Sequence, residues 1–137
     1  MFASRSAVTI YGLDEAVVAA KASFAVNVPI YLLSARAAAG YAGPAWFRAL
    51  FIETKKRVPK ADIDGILDCG NFSGHAAAAL REGLKLIVYD GPAYLAVNDI
   101  AGQLGAIILR ERPQSLDSRI ADIEGPLDEI IRAWLIN

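Results

Sequence analysis

A chain of 137 residues, 55% hydrophobic and 21% charged, fits a single domain with a real core. Its 14 basic and 15 acidic side chains leave a net charge of −1, so no global field points to nucleic acid or to a membrane surface. Lys21, Asn27, Arg36 and Arg48 break the richest apolar region well short of a membrane span.

The first six residues read as a loosely packed start, and residues 7–11 (AVTIY), β-branched and aromatic, as a first strand. Gly12 and Leu13 turn the chain into a helix with Asp14 as its expected N-cap and Glu15 beside the positive helix end. The helix ends near residues 25–27, and residues 28–33 (VPIYLL) form a second strand. A small-residue segment, SARAAAGYAG, leads to Gly43 and Pro44, which open a helix carrying Trp46, Phe47, Leu50 and Phe51. Its basic end, Lys55-Lys56-Arg57, complements the negative helix terminus and reads as a solvated cap.

Residues 62–92 hold the clearest unit: an apolar strand around Ile63, Ile66 and Leu67, a tight loop, a helix stopped by Gly83, and a second strand around Leu84 to Val88. Ser73 is the expected cap of that helix. Two strands joined this way need a right-handed parallel crossover. Val97, Ile100, Ala101 and Leu104 mark another helix, stopped by Gly105, and AIIL at residues 106–109 a fifth strand. Residues 111–125 read as polar and irregular, with one short turn near residues 116–120, before a last helix from Pro126. The alternation predicts one α/β domain over residues 1–137. Its expected form is a three-layer sandwich with a mainly parallel five-stranded sheet and helices on both faces. The pattern leaves open a flavodoxin-like order 2-1-3-4-5, a Rossmann-like order 3-2-1-4-5, or part of a (β/α) barrel.

Ligands of open parallel sheets bind beyond the strand carboxyl ends, which here carry Gly12 and Asp14, Ser34 and Arg36, Asp68 to His75, Asp90, and Arg110 to Arg112. Gly70, Asn71, Ser73 and Gly74 flank a helix start and suit a small anionic ligand, with Ser34, Arg36 and Asp90 on neighbouring ends. Cys69 and His75 are the types of a nucleophile and its base, with Asp68 to orient the imidazole. One cysteine and one histidine do not make a usual zinc set, so no metal is expected. The alternation, with the tail LGAIILRERP, is similar to response-regulator receiver domains. That resemblance implies an acidic role for Asp14 or Glu15 and a phosphorylated Asp68, while Asp90 and Arg110 depart from the hydroxyl and lysine such domains use.

The leading expectation is a small cytoplasmic binding or regulatory module taking a small anionic ligand at the strand carboxyl ends. A small enzyme using Cys69 and His75 and a structural or partner-docking subunit are the alternatives. The cytoplasmic setting follows from one cysteine and no visible secretory pattern. The high apolar content, with mean hydropathy +0.34, and the wide apolar arcs of the helices at residues 44–57 and 126–136 further predict a homo-oligomer, by default a dimer.

Overall fold

The computed structural model describes residues 5–137, and the expected loose start falls for the most part outside them. The elements run β1 (Ser6–Thr9), α1 (Leu13–Val26), β2 (Ile30–Leu33), α2 (Ala38–Tyr41), α3 (Pro44–Arg57), β3 (Ile63–Asp68) and α4 (Ser73–Arg81). They continue through β4 (Leu86–Val88), α5 (Tyr94–Gln103), β5 (Ile107–Leu109), β6 (Ser115–Asp117), α6 (Ser118–Glu124) and α7 (Leu127–Leu135). This is the layered α/β fold the alternation predicts, a parallel sheet packed by helices, with six strands in place of five.

Helix ends follow local chemistry. Asn27 closes α1 in the left-handed region at φ 57°, and Gly83 and Gly105 leave α4 and α5 at φ 93° and 69°. Two expected caps differ. α1 begins at Leu13 on Gly12, so Asp14 lies inside the first turn and Glu15 instead accepts from the Tyr11 N–H at 3.2 Å. Ser73 is already helical, after Phe72, and its hydroxyl caps nothing.

The sixth strand lies in the stretch expected to be irregular. Ser115-Leu116-Asp117 has one apolar residue and little strand propensity of its own. It is a strand because β1 offers it a free edge, in register Ala7 with Ser115 and Thr9 with Asp117, and because the Thr9 and Ser115 hydroxyls hydrogen-bond at 2.6 Å.

All pairings are parallel and the order is β5-β4-β3-β2-β1-β6; it is neither the flavodoxin-like nor the Rossmann-like order, and the neighbour-to-neighbour run from β1 to β5 is the order of the third possibility, part of a (β/α) barrel. The chain steps outward one strand at a time from β1 to β5, then returns past β1 to lay down β6. That return constrains the shape. In a flat sheet, five inter-strand spacings would separate β5 from β6 by about 24 Å. The six residue steps from Leu109 to Ser115 reach at most about 21 Å. Registers also place Ser115 level with Asp64, while Leu109 lies level with Asp68, so the segment must travel back along the strands as well. The sheet is therefore strongly curled, its two edges drawn toward each other.

Two apolar clusters occupy the two faces. The larger holds Val8, Ile30, Leu32, Leu67, Ile87 and Ile108 with the buried sides of the helices, which touch in the series α7, α1, α3, α4, α5. The smaller, Ala7, Tyr31, Leu33, Ile66, Leu86 and Val88 with Leu109, comes from strands alone. α7 turns Ile131 and Leu135 onto α1, and α3 gives Phe47 and Leu50 to the core, which accounts for much of the apolar surface that the sequence loads onto both helices.

Candidate functional site at the strand carboxyl ends

Two features meet at this end of the sheet: a polar lock and a cavity. The lock centres on Asp68, the last residue of β3. Its Oδ1 accepts the backbone N–H groups of Ala37 at 3.1 Å and Gly70 at 2.8 Å, and its Oδ2 accepts Arg112 Nη1 at 2.8 Å. Its own N–H donates to Ser34 Oγ at 2.9 Å, and that hydroxyl donates to the Ala35 carbonyl. Arg112 Nη2 donates to Thr9 Oγ1 at 2.9 Å, which continues to Ser115. The side chains of Asp68 and Arg112 are 5% and 12% exposed, the only mutually buried ion pair among the described residues. One carboxylate thus ties the loops after β2 and β3 to the segment between β5 and β6. Ala37 sits at φ 55°, a left-handed conformation unusual for alanine, with its N–H aimed at that carboxylate.

The sequence-predicted residues divide. Ser34, Asp68 and Gly70 belong to the lock, and Asp90 reaches it through its N–H to the Gly70 carbonyl at 3.0 Å. The Asp90 carboxylate pairs with Arg110 at 3.1 Å and does not cap α5, which starts at Tyr94. Arg36, Asn71, Ser73 and Gly74 lie on the exposed rim. A Cβ at Gly74 would come within 2.9 Å of the Phe72 ring, so the glycine makes room for an aromatic side chain.

Cys69 is buried in the large cluster, its thiol weakly directed at the Leu67 carbonyl. Burial, with the charge of Asp68 adding to it, pushes that thiol up to about 12. His75 stacks on Phe72 with centroids 4.4 Å apart and lies so close to Gly40 that a Cβ there would meet it at 2.7 Å. Among the described residues no hydrogen bond joins Cys69 to His75 or His75 to Asp68. The strand order also differs from the 2-1-3-4-5 of receiver domains.

The cavity, of about 340 Å³, opens at the ends of β1 and β2. Three aromatic residues and one arginine wall it: Tyr11 just after β1, Tyr41 at the end of α2, Trp46 in the first turn of α3, and Arg119 in the first turn of α6. Ile10, Ala35, Ala38 and Ala42 supply the remaining wall, so the small-residue segment that the sequence left unexplained creates much of the space. The Arg119 guanidinium stacks over the Tyr11 ring at 3.9 Å, and it forms no ion pair among the described residues. Tyr11 donates its hydroxyl to Asp117 Oδ2 at 2.6 Å, while Asp117 Oδ1 caps α6 through the Arg119 N–H. Burial first, then the bond to Asp117, push the Tyr11 phenol up to about 12, so the ring under Arg119 is neutral at ordinary pH. Sequence reasoning missed Tyr11 and Arg119 as a pair, because α6 comes alongside β1 only through β6.

Among the described residues no three metal-ligating side chains are placed to share an ion, and no helix is long and apolar enough to cross a membrane. No known family's sequence profile matches the chain, and no characterised protein matches it in sequence.

Removing one partner of a buried pair strands the other's charge, so Arg112→Met should cost about 3 kcal/mol in urea unfolding, while Arg110→Met, at an exposed pair, should stay within about 1 kcal/mol. An equal cost at the two positions would refute the role given to Asp68.

Cys69 makes a pH prediction of definite sign. Its folded pKa is raised from 9.0 to about 12, so the unfolded chain ionises first; the stabilisation is full below pH 9 and is lost as pH climbs toward 12. Between pH 8 and about pH 10 the urea midpoint of the wild type should fall further than that of Cys69→Ala. Parallel decline of the two would show an unshifted thiol.

Proposed function

We propose that this chain is a small-molecule binding or regulatory module that takes an anionic ligand at the carboxyl ends of β1 and β2. The observation that supports it is the cavity under Arg119, whose guanidinium is held flat by Tyr11 and has no carboxylate partner among the described residues. Parallel sheets bind ligands outside their strand carboxyl ends, and an arginine edge offers paired donors to a carboxylate or phosphate. At about 340 Å³ the space is near the lower limit of ligand pockets. It suits one small molecule and excludes a dinucleotide. With a net charge of only −1, attraction of an anion is local to this arginine and not a property of the whole surface.

The setting we propose is cytoplasmic, in keeping with a single cysteine kept as a buried thiol. Self-association as a dimer belongs to the same proposal. The surface that favours it is α5 with β5, where Ile100 and Leu104, one turn apart, and Ile107 of β5 are each more than a third exposed.

Calorimetric titration with inorganic phosphate, benzoate and phenyl phosphate tests the ligand reading. At least one should bind the wild type, and Arg119→Ala should weaken it about tenfold. No heat and no shift in melting temperature with any of them at about 10 mM would remove the proposal. Light scattering tests the dimer: Leu104→Glu should shift the mass toward the 14.6 kDa monomer, and a wild type already monomeric at high concentration would exclude self-association.

A further inference from the structure

We infer that the ligand of this cavity is a flat aromatic ring bearing a single anionic group, an aryl carboxylate or aryl phosphate; this deepens the anion-binding proposal and rests on it. The cavity wall is built from planar and small pieces. Tyr11, Tyr41 and Trp46 are rings, Ala35, Ala38 and Ala42 carry nothing beyond Cβ, and Ile10 is the one branched side chain of the lining. A slot bounded in this way fits a planar body better than a puckered one.

Hydrogen-bonding capacity is scarce in it. The Tyr11 hydroxyl is already given to Asp117, which leaves the Tyr41 hydroxyl, the Trp46 indole N–H and the Arg119 guanidinium. Three such side-chain groups are too few to pair the hydroxyls of a sugar, and polar groups left unpaired against the cavity wall are costly. They suffice for one anion and one ring.

Arg119 fixes the orientation. Stacked on Tyr11 at 3.9 Å, it presents its N–H edge and not its face to an anion. A ring joined to that anion then extends toward Tyr41 and Trp46. Tyr41 is 73% exposed at the mouth of the cavity, a large ring with little to cover it. Aromatic ligands gain from offset or edge contacts with such rings beyond the area they bury.

The experiment compares ring and chain at fixed charge. Benzoate and phenyl phosphate are titrated against cyclohexanecarboxylate, benzamide and inorganic phosphate, in the wild type and in Tyr41→Ala. Tyr41 is exposed enough for the variant to fold. One of the aryl anions should bind about tenfold tighter than cyclohexanecarboxylate, benzamide should bind far more weakly, and Tyr41→Ala should erase most of the ring preference. Which aryl anion wins separates carboxylate from phosphate. In a Trp134→Phe background, the emission of Trp46 should change with aryl anions and not with phosphate. Equal binding of the saturated acid, or a ring preference that survives Tyr41→Ala, overturns the aromatic assignment while the anion-binding proposal stands. Absence of binding by every anion overturns both.

Discussion

The carboxylate of Asp68 sets the shape of the molecule. Burying it beside Arg112 removes both charges from water, a cost that Coulomb attraction alone in a protein interior often fails to offset. Here the pair is supplemented. Asp68 accepts two backbone N–H groups as well as the guanidinium, and Arg112 donates to a threonine hydroxyl that is itself hydrogen-bonded. Every donor it accepts comes from a different stretch of chain: Ala37 after β2, Gly70 after β3, Arg112 between β5 and β6. A buried polar network satisfied in this way is selective as well as stabilising, since any other arrangement of those loops would leave a charge unpaired in the interior.

The curl of the sheet depends on the same contact. Six strands in the order β5-β4-β3-β2-β1-β6 joined by so short a return between β5 and β6 cannot lie flat. Arg112 is carried on that return and reaches both Asp68 on β3 and Thr9 on β1. It therefore holds the segment over the concave side of the sheet, above the cluster that strands alone provide. β6 benefits in turn. Too short and too polar to persist as a strand by itself, it is set against β1 by the return and fastened by the hydroxyl pair of Thr9 and Ser115. α6 follows β6 at once, which is how Arg119 arrives over Tyr11.

Much of this was legible in the sequence, and the parts that were not share a cause. The five apolar strands, the stops at Gly83 and Gly105 and the proline start of α3 are local signals, and each falls where its residues put it. β6 escaped because its identity is borrowed: Ser-Leu-Asp becomes a strand only through a partner more than a hundred residues away. The place of β6 in the strand order escaped for the same reason, since it rests on which edge remains free once the first five strands are placed. At the carboxyl ends, Asp68, Ser34 and Gly70 were singled out for their chemistry and do meet. What the residue types could not show is that their hydrogen bonds are directed at one another. Cys69 and His75 illustrate the converse. Neighbouring positions along a strand face opposite sides of the sheet, so a cysteine next to Asp68 is turned into the helix-side core.

The division of roles at this end of the sheet also separates the reactive residue types from the groups that remain available beside the cavity. Asp68, Ser34, Thr9 and Arg112 have their donors and acceptors matched within the protein, and a matched buried network has little left to offer a ligand. The groups still available beside the cavity are a stacked arginine edge and aromatic surface, which read in a sequence as a helix residue and core rings. They border a cavity only because small residues, Ala35, Ala38 and Ala42, leave space between them. In a chain whose polar residues are largely committed to holding the loops, the alanines are the better guide to where a ligand fits.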